Sequence, residues 1–168
     1  MKRLGVIIAA ALCCAAAART TAGAQESSVE GHLNYQRGNQ SHANSWGGGA
    51  QYGLTFGSKK KPQLATNVGV DYTKQEKGGP SQVSGSVEAD VQVPAGPLVT
   101  PYVGGSVSIN RTSGGGQSST DPGYNYIVGT AVKLESQSPL SLRFEVRPGY
   151  VRGSEHSVTY RFGVNMSI

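Results

Sequence analysis

The chain has 168 residues, 24 of them glycine, with 37% hydrophobic residues and a formal net charge of +5. Glycine at that level, with helix signals scarce beyond the N-terminus, indicates an all-β protein. No later segment approaches 18 consecutive apolar residues, which excludes a helical membrane protein.

The N-terminus reads as a secretory signal peptide: Lys2 and Arg3 open it, Leu4 to Ala18 form the apolar run, and Ala22-Gly23-Ala24 is the small-residue cleavage site. The run holds about 15 residues, short of the roughly 20 that a spanning helix needs. Residues 1–24 are therefore expected to be removed, leaving residues 25–168 as one domain. Cys13 and Cys14 invite a lipoprotein reading, but neither is preceded by the Leu, small residue and Gly or Ala of a lipid-acceptor site. Cleavage takes three of the fifteen basic residues and none of the ten acids, so the formal charge falls from +5 to +2. A nucleic-acid partner is then not expected. Both cysteines leave as well, so no thiol, disulfide or Cys-ligated metal is expected.

Eight alternating runs follow, at 29–37, 46–57, 64–74, 81–93, 98–110, 124–135, 139–150 and 157–168. The first four place on one face Val29, Leu33 and Tyr35; Trp46, Ala50, Tyr52, Leu54 and Phe56; Leu64, Val68, Val70 and Tyr72; and Val83, Val87, Ala89, Val91 and Val93. The second four continue that face with Val103, Val107 and Ile109; Tyr124, Tyr126, Val128, Val132 and Leu134; Leu140, Leu142, Phe144, Val146 and Tyr150; and Val158, Tyr160, Phe162, Val164, Met166 and Ile168. Most runs are about 9–13 residues, longer than the 5–6 typical of soluble strands and matched to a tilted membrane strand. The last run has no later segment to cover its apolar face, which suits contact with lipid.

A soluble lipocalin-like ligand-binding barrel or a β-sandwich would alternate too, so the opposite face decides. There Gly47, Gly49, Gly53, Gly69, Gly104, Gly129 and Gly163 interleave with Asp71, Glu88, Asp90, Lys133, Glu135, Arg143, Glu145, Arg147 and Arg161. Glycine weakens a water-facing strand. In a narrow eight-stranded lumen it gives long charged side chains room. The connections after even strands read as short and proline-marked, and those after odd strands as longer and polar, led by Arg111 to Gly123, the pattern of periplasmic turns and extracellular loops. Tyr35, Tyr72 and Tyr150 near the ends of odd strands, with Trp46, Tyr124, Tyr126 and Tyr160 near the starts of even ones, collect on one rim as an interfacial girdle would.

These features, with Pro101-Tyr102-Val103-Gly104-Gly105-Ser106-Val107 and Leu142-Arg143-Phe144-Glu145-Val146-Arg147, resemble small outer-membrane β-barrels of the OmpA transmembrane-domain, OmpX and opacity-protein type. The resemblance implies an eight-stranded antiparallel up-and-down transmembrane barrel with periplasmic termini. It further implies surroundings of outer-membrane lipid and lipopolysaccharide, and delivery by the barrel-assembly machinery. Members usually end in an aromatic residue that this machinery recognises, where this sequence has Ile168. Pro148 is expected to bring a bulge or an early end to the seventh strand.

For function, Arg143, Glu145, Arg147 and Arg161 are expected in the lumen, with Asp71, Glu88, Asp90, Lys133 and Glu135 sharing it. They would form a salt-bridged plug, or alternatively the gate of a small low-conductance channel. Lipid A deacylases of this architecture place His and Ser two apart on a membrane-facing strand. Here His156 and Ser157 are adjacent and would face opposite sides, and His32 and His42 lack such a pair. No catalytic, metal-binding or cofactor-binding residue is assigned. Gly114-Gly115-Gly116 is no phosphate loop and reads as a flexible tip. Lys59-Lys60-Lys61 reads as a solvated turn. A structural or surface-interaction role, without catalysis, is expected through loops 38–45, 75–80, 111–123 and 153–156.

Overall fold

The computed structural model describes residues 26–39, 42–58 and 61–168, so the signal-peptide expectation and most of the Lys59–Lys61 turn lie outside the described residues. Eight strands are present: β1 (Glu26–Gly38), β2 (Asn44–Phe56), β3 (Gln63–Gln75), β4 (Ser81–Gln92), β5 (Val99–Gly114), β6 (Gln117–Lys133), β7 (Leu140–Val151) and β8 (His156–Ser167). Each contains most of one predicted run. All neighbours pair antiparallel and in sequence order, and the sheet closes on itself.

The seam between β1 and β8 runs from Ser28↔Ser167 to Gly38↔Ser157. Below it, the Ile168 N–H donates to the Ser27 carbonyl at 2.8 Å, and the Ser27 hydroxyl donates back to the Ile168 carbonyl at 3.0 Å. The apolar face of β8 is thus one panel of a continuous wall.

That wall faces outward. Phe144 is 46% exposed and Phe162 42%, while Arg143, next to Phe144 on the other face of β7, is 3% exposed. Leu33, Val87, Val103, Val107, Ile109, Tyr126 and Val128 are all exposed, whereas Glu30, Glu88 and Asp90 are almost fully enclosed. Buried hydrophobic residues among those described are Leu54, Ala65, Tyr102 and Ile127. A soluble barrel distributes its residues the other way round.

Three details differ from expectation. The connections after even strands span 57–62, 93–98 and 134–139, while those after odd strands are no longer, at 39–43, 76–80, 115–116 and 152–155. The predicted length asymmetry is therefore absent. The reason lies largely in 111–123, which is not a loop: β5 and β6 continue pairing to Gly114↔Gln117. Gly115 and Gly116 turn the chain with φ of 59° and 78°, the two positive values that a two-residue type I′ hairpin turn requires. Apolar alternation stops at Ile109 because the outward positions beyond it, Arg111 and Ser113, are polar and exposed. Thr112, Ser113 and Thr120 sustain a strand there without marking a face.

The third concerns Pro148, which causes neither a bulge nor an early end. β7 runs on to Val151 and pairs with β8 without a break, including Pro148↔Val158. Against β6 the ladder stops at Val128↔Val146 and resumes at Asn125↔Gly149 in the same register. Proline lacks the N–H, so the ladder opens over two residues and no extra residue is inserted.

Candidate functional site

The lumen is built by alternation. Odd-numbered residues of β2, β3, β6, β7 and β8 and even-numbered residues of β1, β4 and β5 point inward, and the charged ones meet in one layer. Arg147 forks onto Glu88, with Nη2 to Oε2 at 2.9 Å, and its Nε donates to Glu145. Arg161 grips both oxygens of Asp71 at 3.0 and 3.1 Å. It also donates to the Gln51 side-chain oxygen at 3.0 Å and to that of Asn34 at 3.1 Å. Arg143 reaches Glu30 at 3.0 Å and Glu145 at 3.0 Å. Its Nε donates to the Tyr102 hydroxyl at 2.9 Å, which in turn donates to Glu145 at 2.8 Å. The guanidinium carbon of Arg143 lies 4.5 Å from the centre of the Tyr102 ring, a cation–π contact.

His32 completes the layer. Its Nε2 is 2.7 Å from Asp71 Oδ1 and its Nδ1 is 3.3 Å from Glu30 Oε1, so the imidazole bridges two carboxylates. Gln51 donates to Glu30 and Asn67 to Asp90, at 3.0 and 3.1 Å. The inventory is five carboxylates (Glu30, Asp71, Glu88, Asp90, Glu145) against three guanidiniums and one imidazole. A charge in such a setting is tolerated only when paired and hydrogen-bonded.

Glycine supplies the room. A Cβ on Gly129 would sit 2.5 Å from the Tyr102 ring, and one on Gly163 would lie 2.6 Å from the Glu30 carboxylate. On Gly49 it would lie 2.7 Å from both His32 and Asp71. The small residues and the long charged ones are thus one feature.

Of the residues predicted for the lumen, Arg143, Glu145, Arg147, Arg161, Asp71, Glu88 and Asp90 come together. Lys133 and Glu135 do not: Lys133 is the last residue of β6, and Glu135 is exposed in the turn beyond it. Sequence reading missed Glu30 and His32, although their alternation with Val29 and Leu33 would have placed them inside. Tyr102 and Ile127 were legible in the same way, from Val103 and from Tyr126 and Val128.

Between this layer and the rim opposite the termini lies a vestibule. A cavity of about 70 Å³ touches Asp71, Arg147 and Arg161 and is walled by hydroxyls and amides such as Ser86, Ser106, Asn110 and Asn125. Above it a second space of about 160 Å³ reaches the rim beside Gln36, Gln75 and Glu155. His156 and Ser157 face opposite sides, as expected: Ser157 accepts from the Gln36 amide at 2.8 Å, whereas the His156 ring packs 5.0 Å from Tyr150 outside.

On that same rim six of the seven expected aromatics form two groups, and Tyr72 is exposed apart from them. Tyr35 lies between Trp46 and Tyr160, with centroids at 4.6 and 6.2 Å, and Tyr124 lies between Tyr126 and Tyr150 at 6.1 and 6.0 Å. Their polar ends point rimward: the Trp46 indole donates to Glu76 at 2.8 Å and the Tyr35 hydroxyl to Asn44 at 2.9 Å.

An apolar outer wall and a charged lumen on a closed eight-stranded meander mark the small outer-membrane β-barrels, and the chain has that fold. No family model and no curated protein sequence matches it. Solved structures do. Neisserial surface protein A superposes with a TM-score of 0.65 at 18% identity, over 84% of this chain and 97% of that one. Ail, the attachment invasion locus protein of Yersinia pestis, gives 0.59 at 11% identity, over 85% and 97%. The outer-membrane enzyme PagL gives 0.53 at 14% identity, over 84% and 99%. At these identities the likeness is one of fold.

Proposed function

We propose that this chain is a bacterial outer-membrane β-barrel, with its termini in the periplasm, whose role is structural or surface interaction and not catalysis. The observation that carries the reading is the inverted polarity, with Arg143 enclosed and Phe144 exposed on adjacent positions of one strand. Such a wall is stable only against hydrocarbon. It would sit among lipopolysaccharide and phospholipid and be delivered by the barrel-assembly machinery.

The part offered to a partner is the rim around connections 39–43, 76–80, 115–116 and 152–155, led by the β5–β6 ribbon. Two of the similar barrels, the Neisserial surface protein and the Yersinia attachment protein, carry names that fit such a role. The charge layer supports a plug over a gated pore, since its side chains fill the lumen from β1 to β5 and from β7 and β8. The His156 and Ser157 placement gives no base and nucleophile within reach of each other, which favours a non-catalytic role over an acyl hydrolase. Fractionation tests the reading: the protein should enter the outer membrane and migrate as a heat-modifiable band. Recovery as a soluble periplasmic monomer would overturn it.

A further inference from the structure

The vestibule has a composition that the charge layer beneath it does not explain. On β4 the inward positions above Glu88 are Ser86, Ser84 and Gln82, and on β5 those above Ser106 are Ser108, Asn110 and Thr112. Register sets them side by side, as Ser86↔Ser108, Ser84↔Asn110 and Gln82↔Thr112, so the two strands present one panel of hydroxyls and amides. Half-way round the ring, β1 and β8 face it with Gln36 beside Thr159, and with Ser157 one pleat further out. Gln36, Thr73, Gln82 and Ser157 line both the lower space of about 70 Å³ and the upper one of about 160 Å³, which makes the two a single recess. The charge layer, with Tyr102 and Ile127 enclosed beside it, floors that recess, so whatever enters by the rim leaves by the rim.

Much of the hydrogen-bonding capacity of this wall is unspent. Among the described residues, the side chains of Thr73, Gln82 and Ser84 make no hydrogen bond, and the enclosed Ser86 hydroxyl has no partner. Gln36 and Asn110 donate from their amide nitrogens, to Ser157 and to Ser108, but among the described residues their amide oxygens accept no hydrogen bond. Enclosed polar groups of this kind call for a partner, from water or from a ligand.

The chemistry selects among ligands. An anion meets no free cation, because Arg147 and Arg161 are both forked onto carboxylates. A cation meets no free acid, since Asp71 is held by Arg161 and Glu155 at the mouth is partnered. An apolar group would meet mostly hydroxyls and amides. A neutral molecule rich in hydroxyls matches, because each of its O–H groups both donates and accepts, as the serines, threonines and primary amides of the wall do. Both spaces are smaller than the roughly 300 Å³ at which drug-sized sites begin, which suits one sugar ring.

We propose that the vestibule binds a single neutral sugar unit, held by Gln82, Ser84, Ser86 and Asn110 on one side and by Gln36 on the other. The inference rests on the surface-interaction reading above, which puts the mouth outside the cell, and it adds to that reading a site and a ligand chemistry. With its floor closed, the site captures the sugar and does not pass it on.

The barrel is refolded in dodecylphosphocholine, a detergent without a sugar headgroup, and its amide spectrum is followed by NMR against an equimolar mixture of glucose, galactose, mannose and N-acetylglucosamine. Signals of Gln36, Thr73, Gln82 and Asn110 should shift and saturate, while those of the outward-facing Val128 and Phe144 stay in place. Ser86→Leu, which fills the lower recess, should abolish the shifts. Gln82→Met, which keeps the volume and removes the amide, should weaken binding about fivefold, the worth of one hydrogen bond. A trisaccharide ending in whichever sugar binds should shift the same signals if the ligand is the end of a glycan chain; response to the monosaccharide alone assigns the site to a free sugar. Spectra unchanged up to about 100 mM sugar would overturn the site. So would shifts that both variants leave intact, or tighter binding of glucose 6-phosphate than of glucose. The heat-modifiable band of the same sample tells the two readings apart: with it present only the site has failed, and a soluble protein without it fails the membrane reading itself.

Discussion

Glu88 shows how much one lumen residue holds. Its carboxylate takes both Arg147 nitrogens and lies 3.4 Å from Arg161, so it joins the two guanidiniums that face the vestibule. Glu88→Ala would leave Arg147 with Glu145 alone and Arg161 held chiefly by Asp71, and breaking one partner of a buried pair costs up to about 3–5 kcal/mol. Urea unfolding of the refolded protein in detergent should therefore show a lowered midpoint, and Glu88→Gln should lose less. Gly129→Val makes a complementary case. Its side chain would enter the space of the Tyr102 ring and push that ring away from Arg143 and Glu145, an overpacking cost of about 1–3 kcal/mol. The same unfolding measurement checks it. At this scale the sequence was legible wherever apolar neighbours marked the alternation clearly, as around Arg143 and Arg161. It was less so for Glu30 and His32, where Gly31 interrupts the apolar face between Val29 and Leu33. Glu135 was misplaced because alternation gives a face but not a depth, and it lies exposed in the turn past β6, while Lys133 keeps the inward face at the last residue of that strand, away from the charge layer.

The β5–β6 hairpin is the element whose extent sequence patterning understated. Periodicity in this fold reports the boundary between lipid and lumen. A ribbon that leaves the barrel loses that boundary and with it the signal, although Gly115-Gly116 stands in the chain as a recognisable hairpin turn. Placing a β-branched residue where φ is 78° strains the turn, at about 1–3 kcal/mol. Gly116→Val should consequently raise amide exchange in residues 111–121 without changing exchange in β1, β7 or β8, as hydrogen-exchange mass spectrometry would show. Pro148 makes the converse point. Its chemistry was legible, but its effect depended on whether the partner strand kept register, and pairing with β8 on the other side held β7 in place.

For the molecule as a whole, closure and inverted polarity followed from the pattern of eight runs, while the lengths of the connections did not, because strand ends in water carry no hydrophobic mark. The lumen layer draws on seven of the eight strands, and β6 contributes Ile127 and the space above Gly129. A cross-section packed in this way should leave planar bilayers containing folded protein electrically silent. Discrete conductance steps, altered by Arg143→Ala, would show that the pairs part. Replacing residues 114–117 by another short turn should preserve the heat-modifiable shift, since β4 pairs with β5 only as far as Ser113, while abolishing any binding that this tip carries.

The seam has a consequence for how the molecule comes into being. Seven ladders join strands consecutive in the chain and close loops of at most six residues. The eighth brings Ser27 to Ile168, 141 positions away, and the side-chain pairs Glu30–Arg143 and Asn34–Arg161 span nearly as much. Contacts of such high order carry the largest loop-closure entropy and form late. Until they form, β1 and β8 are bare edges, each able to accept a strand from another molecule. Zipping of this one ladder therefore separates a monomeric barrel from an open sheet, and a guanidinium and a carboxylate must find each other across it before water is shut out of the lumen.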